Sequence, residues 1–167
     1  MKKLYDYILV FFVGSCIGYL YEEIFYLLSE HVLVNRGFLY GPYLPVYGWG
    51  SVGILFFTKK YKDKPILTFL LIMLVAGILE YFTGYAMMQI WHKRWWDYTG
   101  LLLSIDGYVC LRSILSFGVG GMILIYYIDP LLMKISKKLK INQLKLICYM
   151  LCLIYVIDNI FSFIIRN

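Results

Sequence analysis

Charge is scarce in this sequence. Only 16% of its 167 residues are Asp, Glu, Lys or Arg, against about 25% in a soluble domain. Histidine occurs twice, at His31 and His92, and no H-E-x-x-H is present, so no metal site is expected. The four cysteines (Cys16, Cys110, Cys148, Cys152) include no C-x-x-C pair. All four lie in apolar runs, where a buried cysteine behaves as a small hydrophobe. No G-x-x-x-x-G-K-[ST] occurs, so the chain carries no P-loop of its own. No recognised nucleophile–base set appears either: Ser104, Ser113 and Ser116 lack a histidine nearby in sequence. An enzyme is therefore the less favoured reading, and no cofactor is expected.

What the sequence has instead is apolar length. Hydrophobic residues make up 62% of the chain. A spanning helix needs about 20 mainly apolar residues. Five stretches qualify: 4–29, 41–58, 65–89, 107–133 and 144–165. They predict an all-α, polytopic bundle of five transmembrane helices, with residues 1–167 as a single transmembrane domain. The first run continues through Ile17–Tyr21, which marks a span and not a cleaved signal. The remaining residues suffice only for connections, so soluble catalysis and nucleic-acid binding are excluded. The bilayer is the expected surrounding partner.

The net charge of +6 reports orientation. Lys2 and Lys3, then Lys59, Lys60, Lys62 and Lys64, then Lys134, Lys137, Lys138, Lys140 and Lys145 all fall on one side of the predicted bundle. The positive-inside rule places that side in the cytoplasm, with the N-terminus in and the C-terminus out. Tyr5, Tyr7, Trp91, Trp95 and Trp96 fit interfacial aromatic belts. Anionic lipid contact accounts fully for the basic segments.

The informative charges are the few left inside or beside spans, because an ionisable residue in a bilayer is expensive. Glu22, Glu80 and Asp158 fall in the outer parts of their predicted spans, and Arg112 near the outer start of its own. Asn35, Arg36, Trp96, Asp97 and Asp106 lie in or beside the outer connections. These nine residues form the candidate substrate-binding or ion-pair cluster, with Arg36 and Arg112 as counter-charges. Whether such pairs lock the bundle or bind a substrate is open on the residues alone. The sequence also leaves open which of Glu22 and Glu23 faces inward.

Two connections are unusual. Residues Asn35–Gly50 (NRGFLYGPYLPVYGWG) combine glycine, proline and aromatics. Pro42 and Pro45 lack backbone donors, so this stretch is expected to dip into the bundle as a re-entrant segment before the second helix. Trp91–Gly100 places Trp95, Trp96 and Asp97 together, as an interfacial anchor or as a stacking lid over a pocket. Gly18 with Glu22 and Gly77 with Glu80 also hint at a repeated two-helix unit.

The same stretches carry a family resemblance. Asn35–Gly50, Gly18–Glu22, Leu79-Glu80-Tyr81, Trp95–Tyr98 and Asp106–Leu111 resemble signature segments of a bacterial membrane family, the CmpB-like permeases of ABC-transporter type IV. The likeness runs from about Gly14 to Pro130. It implies a permease in the bacterial cytoplasmic membrane, served by a separate ATPase subunit. Five spans are too few for most complete transporters, so a homodimer or a further partner is expected. The family commonly has Arg where this chain has Tyr108, and Arg112 is the expected substitute for that charge. The leading expectation is thus a transport component with an outward polar site. A membrane-embedded enzyme or binding protein for a lipid or lipid-linked substrate is the alternative, and an accessory subunit with a structural cluster the third.

Overall fold

The computed structural model describes residues 2–31 and 37–165. Asn35 and Arg36 lie outside the described residues. Every named element is helical: α1 (Lys2–Glu30), α2 (Pro45–Thr58), α3 (Pro65–Trp91), α4 (Leu111–Lys138) and α5 (Ile141–Ile165), with a 3-10 turn over Lys59–Tyr61. No strand occurs among the described residues. The cause is elementary: apolar runs without water must satisfy each N–H and C=O internally, and a helix does so within one segment.

Among the described residues, four helices are long and apolar enough to cross a membrane: α1, α3, α4 and α5. The expected second span differs. Gly37–Leu44 is not helical, and α2 begins only at Pro45, where the missing proline N–H costs nothing at a helix start. Its 14 residues reach about 21 Å, short of the roughly 30 Å hydrocarbon core. α4 also starts later than expected, at Leu111, where Cys110 and Ser113 cap each other reciprocally. Within α4, Leu124–Ile128 forms a π-helical turn just before Asp129 and Pro130, whose ring removes a helical donor.

The chain divides into two compact units, residues 1–52 with 129–167, and residues 53–128. In the first, α1 and α5 run side by side. Tyr5, Leu144 and Cys148 form a buried cluster near their starts, and Phe11 and Phe12 meet Tyr155 edge to face further along. α2 leans on the middle of α1 through glycines. A Cβ on Gly18 would stand 2.1 Å from the Tyr47 ring, so only glycine admits that approach. Asp6 accepts a 2.6 Å hydrogen bond from buried Ser136.

The second unit is an antiparallel pair of α3 and α4. Gly121 faces Ile72, Gly118 faces Phe69 and Met73, and Gly77 faces Ile114. The long connection 92–110 does not extend away from this pair. It folds back along the last turns of α3 and delivers the chain to α4 level with Glu80.

Candidate functional site

Glu80 lies on apolar α3 and is only 7% exposed. Its Oε1 accepts from the Tyr98 hydroxyl at 3.0 Å and its Oε2 from the Ser113 hydroxyl at 2.7 Å. Ser113 is the third residue of α4, where unsatisfied amides give the helix start a partial positive charge. Its Oγ also accepts from the Cys110 N–H at 3.1 Å and lies 2.9 Å from the Cys110 carbonyl. A hydroxyl has one proton, so Ser113 donates either to Glu80 or to that carbonyl. The group is a switchable contact beside a buried acid.

The connection above Glu80 is built from aromatics and one guanidinium. Trp96 Nε1 donates to the Tyr108 carbonyl at 2.9 Å. Tyr108 packs edge to face on Tyr81 and Tyr85. Gly84 leaves room for the rings, since a Cβ there would stand 2.9 Å from Tyr108 and 3.1 Å from Trp96. Arg94 lies 4.9 Å over the Tyr108 ring. Its Nη1 donates to Asp97 Oδ1 at 3.2 Å and to the Asp106 carbonyl at 3.1 Å. Gly107, at φ +74°, passes beneath it: a Cβ there would meet Nη1 at 2.3 Å. Asp106, itself at φ +52°, accepts from the Tyr81 hydroxyl at 2.8 Å.

Asp97 organises the turn. Its Oδ1 accepts from the Thr99 hydroxyl at 2.6 Å and the Thr99 amide at 2.9 Å. These donors, then the nearby Arg94, hold its carboxyl below the usual range.

In the first unit the acids again meet tyrosines. Glu22 accepts from the Tyr47 hydroxyl. Asp158, on α5, accepts from the Tyr40 amide at 3.0 Å, the Gly41 amide at 2.9 Å, Ser162 Oγ at 3.1 Å and the Tyr43 hydroxyl. Asp158 therefore fastens the non-helical stretch ahead of α2, whose Leu44 amide donates to the Ser15 carbonyl midway along α1 at 3.0 Å.

Seven of the nine expected residues are described, and they belong to two units. Glu80, Trp96, Asp97, Asp106 and Arg112 belong to the second unit, and Glu22 and Asp158 to the first. Glu80, Trp96, Asp97 and Asp106 are joined through Tyr98, Tyr108, Tyr81 and Arg94. Arg112 is exposed, next to the buried Ser113. The cation resting on Tyr108 is Arg94, which the sequence pattern did not single out. Tyr43, Tyr47, Tyr98 and Ser113 were also missed. The only signal for Ser113 was the Cys110-x-x-Ser113 spacing of a capping box.

The two units share one device. Glu22 is bonded by the third residue of α2, and Glu80 by the third residue of α4. In each, a glycine one turn before the acid lets the returning helix come close, Gly18 at Tyr47 and Gly77 at Ile114.

A family model described as "Putative ABC-transporter type IV" matches residues 9–163. The chain belongs to this family. The match covers the shared device of both units and the whole of the 92–110 connection. No curated protein and no solved structure matches the chain. With its four apolar helices, membership makes this family member a membrane protein of transport-related type.

Proposed function

We propose that this chain is the membrane-embedded permease subunit of an ABC-type transporter in the bacterial cytoplasmic membrane, with Glu80 as the working group of its polar site. The observation that carries the reading is the environment of Glu80. A carboxyl on a candidate span is expensive unless it serves a purpose. Its contacts also suit two protonation states. When Glu80 is ionised, Ser113 donates to it. When Glu80 is protonated, it can donate to Ser113 Oγ while Ser113 turns its proton to the Cys110 carbonyl. Tyr98 donates in both. Neither state leaves one of these donors unsatisfied, so the hydrogen-bond set accommodates the carboxyl both charged and neutral. Such a group can hold a proton or a cationic part of a substrate. Asp97, Asp106 and Trp96 would shape the entrance. Arg112, at the mouth of α4, would supply a counter-charge, as Glu22, Asn35, Arg36 and Asp158 would in the first unit.

Several finer features belong to the same proposal. The lysine-rich ends set the N-terminus inside and the C-terminus outside. Gly37–Leu44 enters the membrane as a re-entrant stretch, supported by its bond to mid-α1 and by the amides held on Asp158. Five helices are few for a complete transporter, so two copies or a further membrane partner would line the path. The ATPase is a separate protein.

Affinity purification of the full chain from its own membranes in a mild detergent tests the permease reading. The expected result is an ATPase bearing a G-x-x-x-x-G-K-[ST] loop, recovered in comparable amount. Recovery of the chain with no ATPase, across several mild detergents, contradicts it.

A further inference from the structure

The connection between α3 and α4 presents a second feature that the polar site does not use. Leu101, Leu102, Leu103 and Ile105 lie outside every candidate span, yet Leu102, Leu103 and Ile105 are 71%, 69% and 57% exposed. Several polar groups of the same connection bond one another, Arg94 to Asp97, Asp97 to Thr99 and Tyr81 to Asp106, although the Arg94 and Asp97 side chains stay 36% and 51% exposed and Ser104 Oγ and Trp95 Nε1 have no partner among the described residues. Much of the backbone around the tip is also self-satisfied. Tyr98 N–H donates to the Gly107 carbonyl, Leu101 to Tyr98, Ser104 to Leu101, Ile105 to Val109 and Tyr108 to Ile105, all between 2.9 and 3.1 Å. A loop that satisfies much of its own backbone and turns its leucines outward suits an apolar surrounding.

The depth of the tip identifies that surrounding. Lys59, Lys60, Lys62 and Lys64 sit immediately before α3 and mark one membrane interface. At about 1.5 Å per residue, α3 is about 40 Å long, whereas the hydrocarbon core is about 30 Å. Glu80 is then about 22 Å and Gly84 about 28 Å beyond Pro65. The connection is fastened at those heights: Tyr98 on Glu80, Asp106 on Tyr81, Trp96 and Tyr108 against Gly84. Leu102 is tied to them, since its carbonyl accepts from the Leu111 amide at 3.1 Å, two residues before Ser113. The tip therefore lies in the last ~10 Å of the core, the depth at which apolar faces of interfacial elements settle. Trp91 and Lys93, further along, reach the headgroups, with the Lys93 ammonium 5.7 Å from the Trp95 ring.

We propose that Leu101–Ile105 is immersed in the acyl chains of the leaflet opposite the Lys59–Lys64 turn. It is a lipid-facing wedge and not a water-exposed loop. The inference rests on the chain being membrane-embedded and is independent of the permease reading. It also brings acyl chains close to the Tyr98–Glu80 contact.

The test uses the full chain in phospholipid vesicles. Cys16, Cys110, Cys148 and Cys152 are replaced by Ser, and a nitroxide is attached at Leu102→Cys, at Leu103→Cys or, as a reference, at Lys93→Cys. Power saturation then compares collision with oxygen, which partitions into lipid, and with a water-soluble nickel chelate. The expected oxygen-to-nickel ratio at positions 102 and 103 is at least about threefold that at position 93, as for a site below the interface. A ratio at 102 and 103 equal to that at 93 overturns the proposal, as does low accessibility to both reagents, which would mean a protein covers the tip. Should the cysteine replacements impair folding, the unaltered chain is irradiated with a phospholipid carrying a diazirine on its acyl tail. Adducts within residues 101–105 support the wedge, and adducts confined to the helices contradict it.

Discussion

Glu80 illustrates how much a single residue can announce. A carboxylate interrupting the apolar run of 65–89 marks itself through its cost in lipid. Its partners were less legible. Charge pairing pointed to arginine, but the described donors include Tyr98 and Ser113. Tyrosine fills apolar space and donates a hydrogen bond at once, so among 17 tyrosines the sequence does not distinguish a packing ring from a donor. Arg94 was hidden for a related reason. It meets Tyr108 because Gly107 adopts a left-handed turn beneath it, and no periodicity encodes that. Asp97 makes a prediction at this scale. Its folded carboxyl is held below the ordinary value by Thr99 and Arg94, so it stabilises the connection above its unfolded pKa of about 3.9. That contribution is lost as pH falls through the lower folded value. Tryptophan fluorescence of Trp95 and Trp96 should therefore show an acid transition below about pH 4. Asp97→Asn should remove the transition while leaving the neutral spectrum close to wild type. A transition unchanged in the variant assigns it to another group.

At the scale of elements, α1, α3, α4 and α5 were readable because length and apolarity alone decide a span. α2 was readable only in part. Glycine and proline in 35–50 marked irregular backbone before it, and Gly37–Leu44 is indeed non-helical. Placing the helix start at Pro45, and so leaving 14 residues, depends on tertiary contacts: Leu44 on Ser15, and Asp158 beneath Tyr40 and Gly41. Asp158 stands 115 or more residues away in sequence from these partners, so it registers as an acid in a span without naming its role. Asp158→Ala should deprive two backbone amides and the Tyr43 hydroxyl of their acceptor. A buried donor left unsatisfied costs about 1–3 kcal/mol. The site is only half-buried, so a total of about 2–4 kcal/mol is expected. Thermal unfolding of the purified variant should show a clear fall in midpoint, with Asp158→Asn intermediate because one oxygen remains. An unchanged midpoint in Asp158→Ala would mean the stretch ahead of α2 is held elsewhere.

Across the described residues, the two units repeat one construction: an apolar helix with a glutamate in its later half, non-helical aromatic residues ahead of the next helix, and a second helix whose third residue bonds that glutamate. The short glycine–glutamate spacing hinted at it, but the connections differ in length and chemistry, so the sequence likeness is slight. The acid is the feature the two halves keep in common, which is why the functional account centres on it. The most direct measurement compares cells carrying wild type, Glu80→Gln or no copy of the protein, by mass-spectrometric profiling of intracellular and external solutes. Glutamine keeps the shape of the side chain, but it accepts through one oxygen only and cannot gain or lose charge. The account predicts that Glu80→Gln, present in the membrane at normal level, reproduces the profile of cells lacking the protein. A wild-type profile in the Glu80→Gln cells would contradict it.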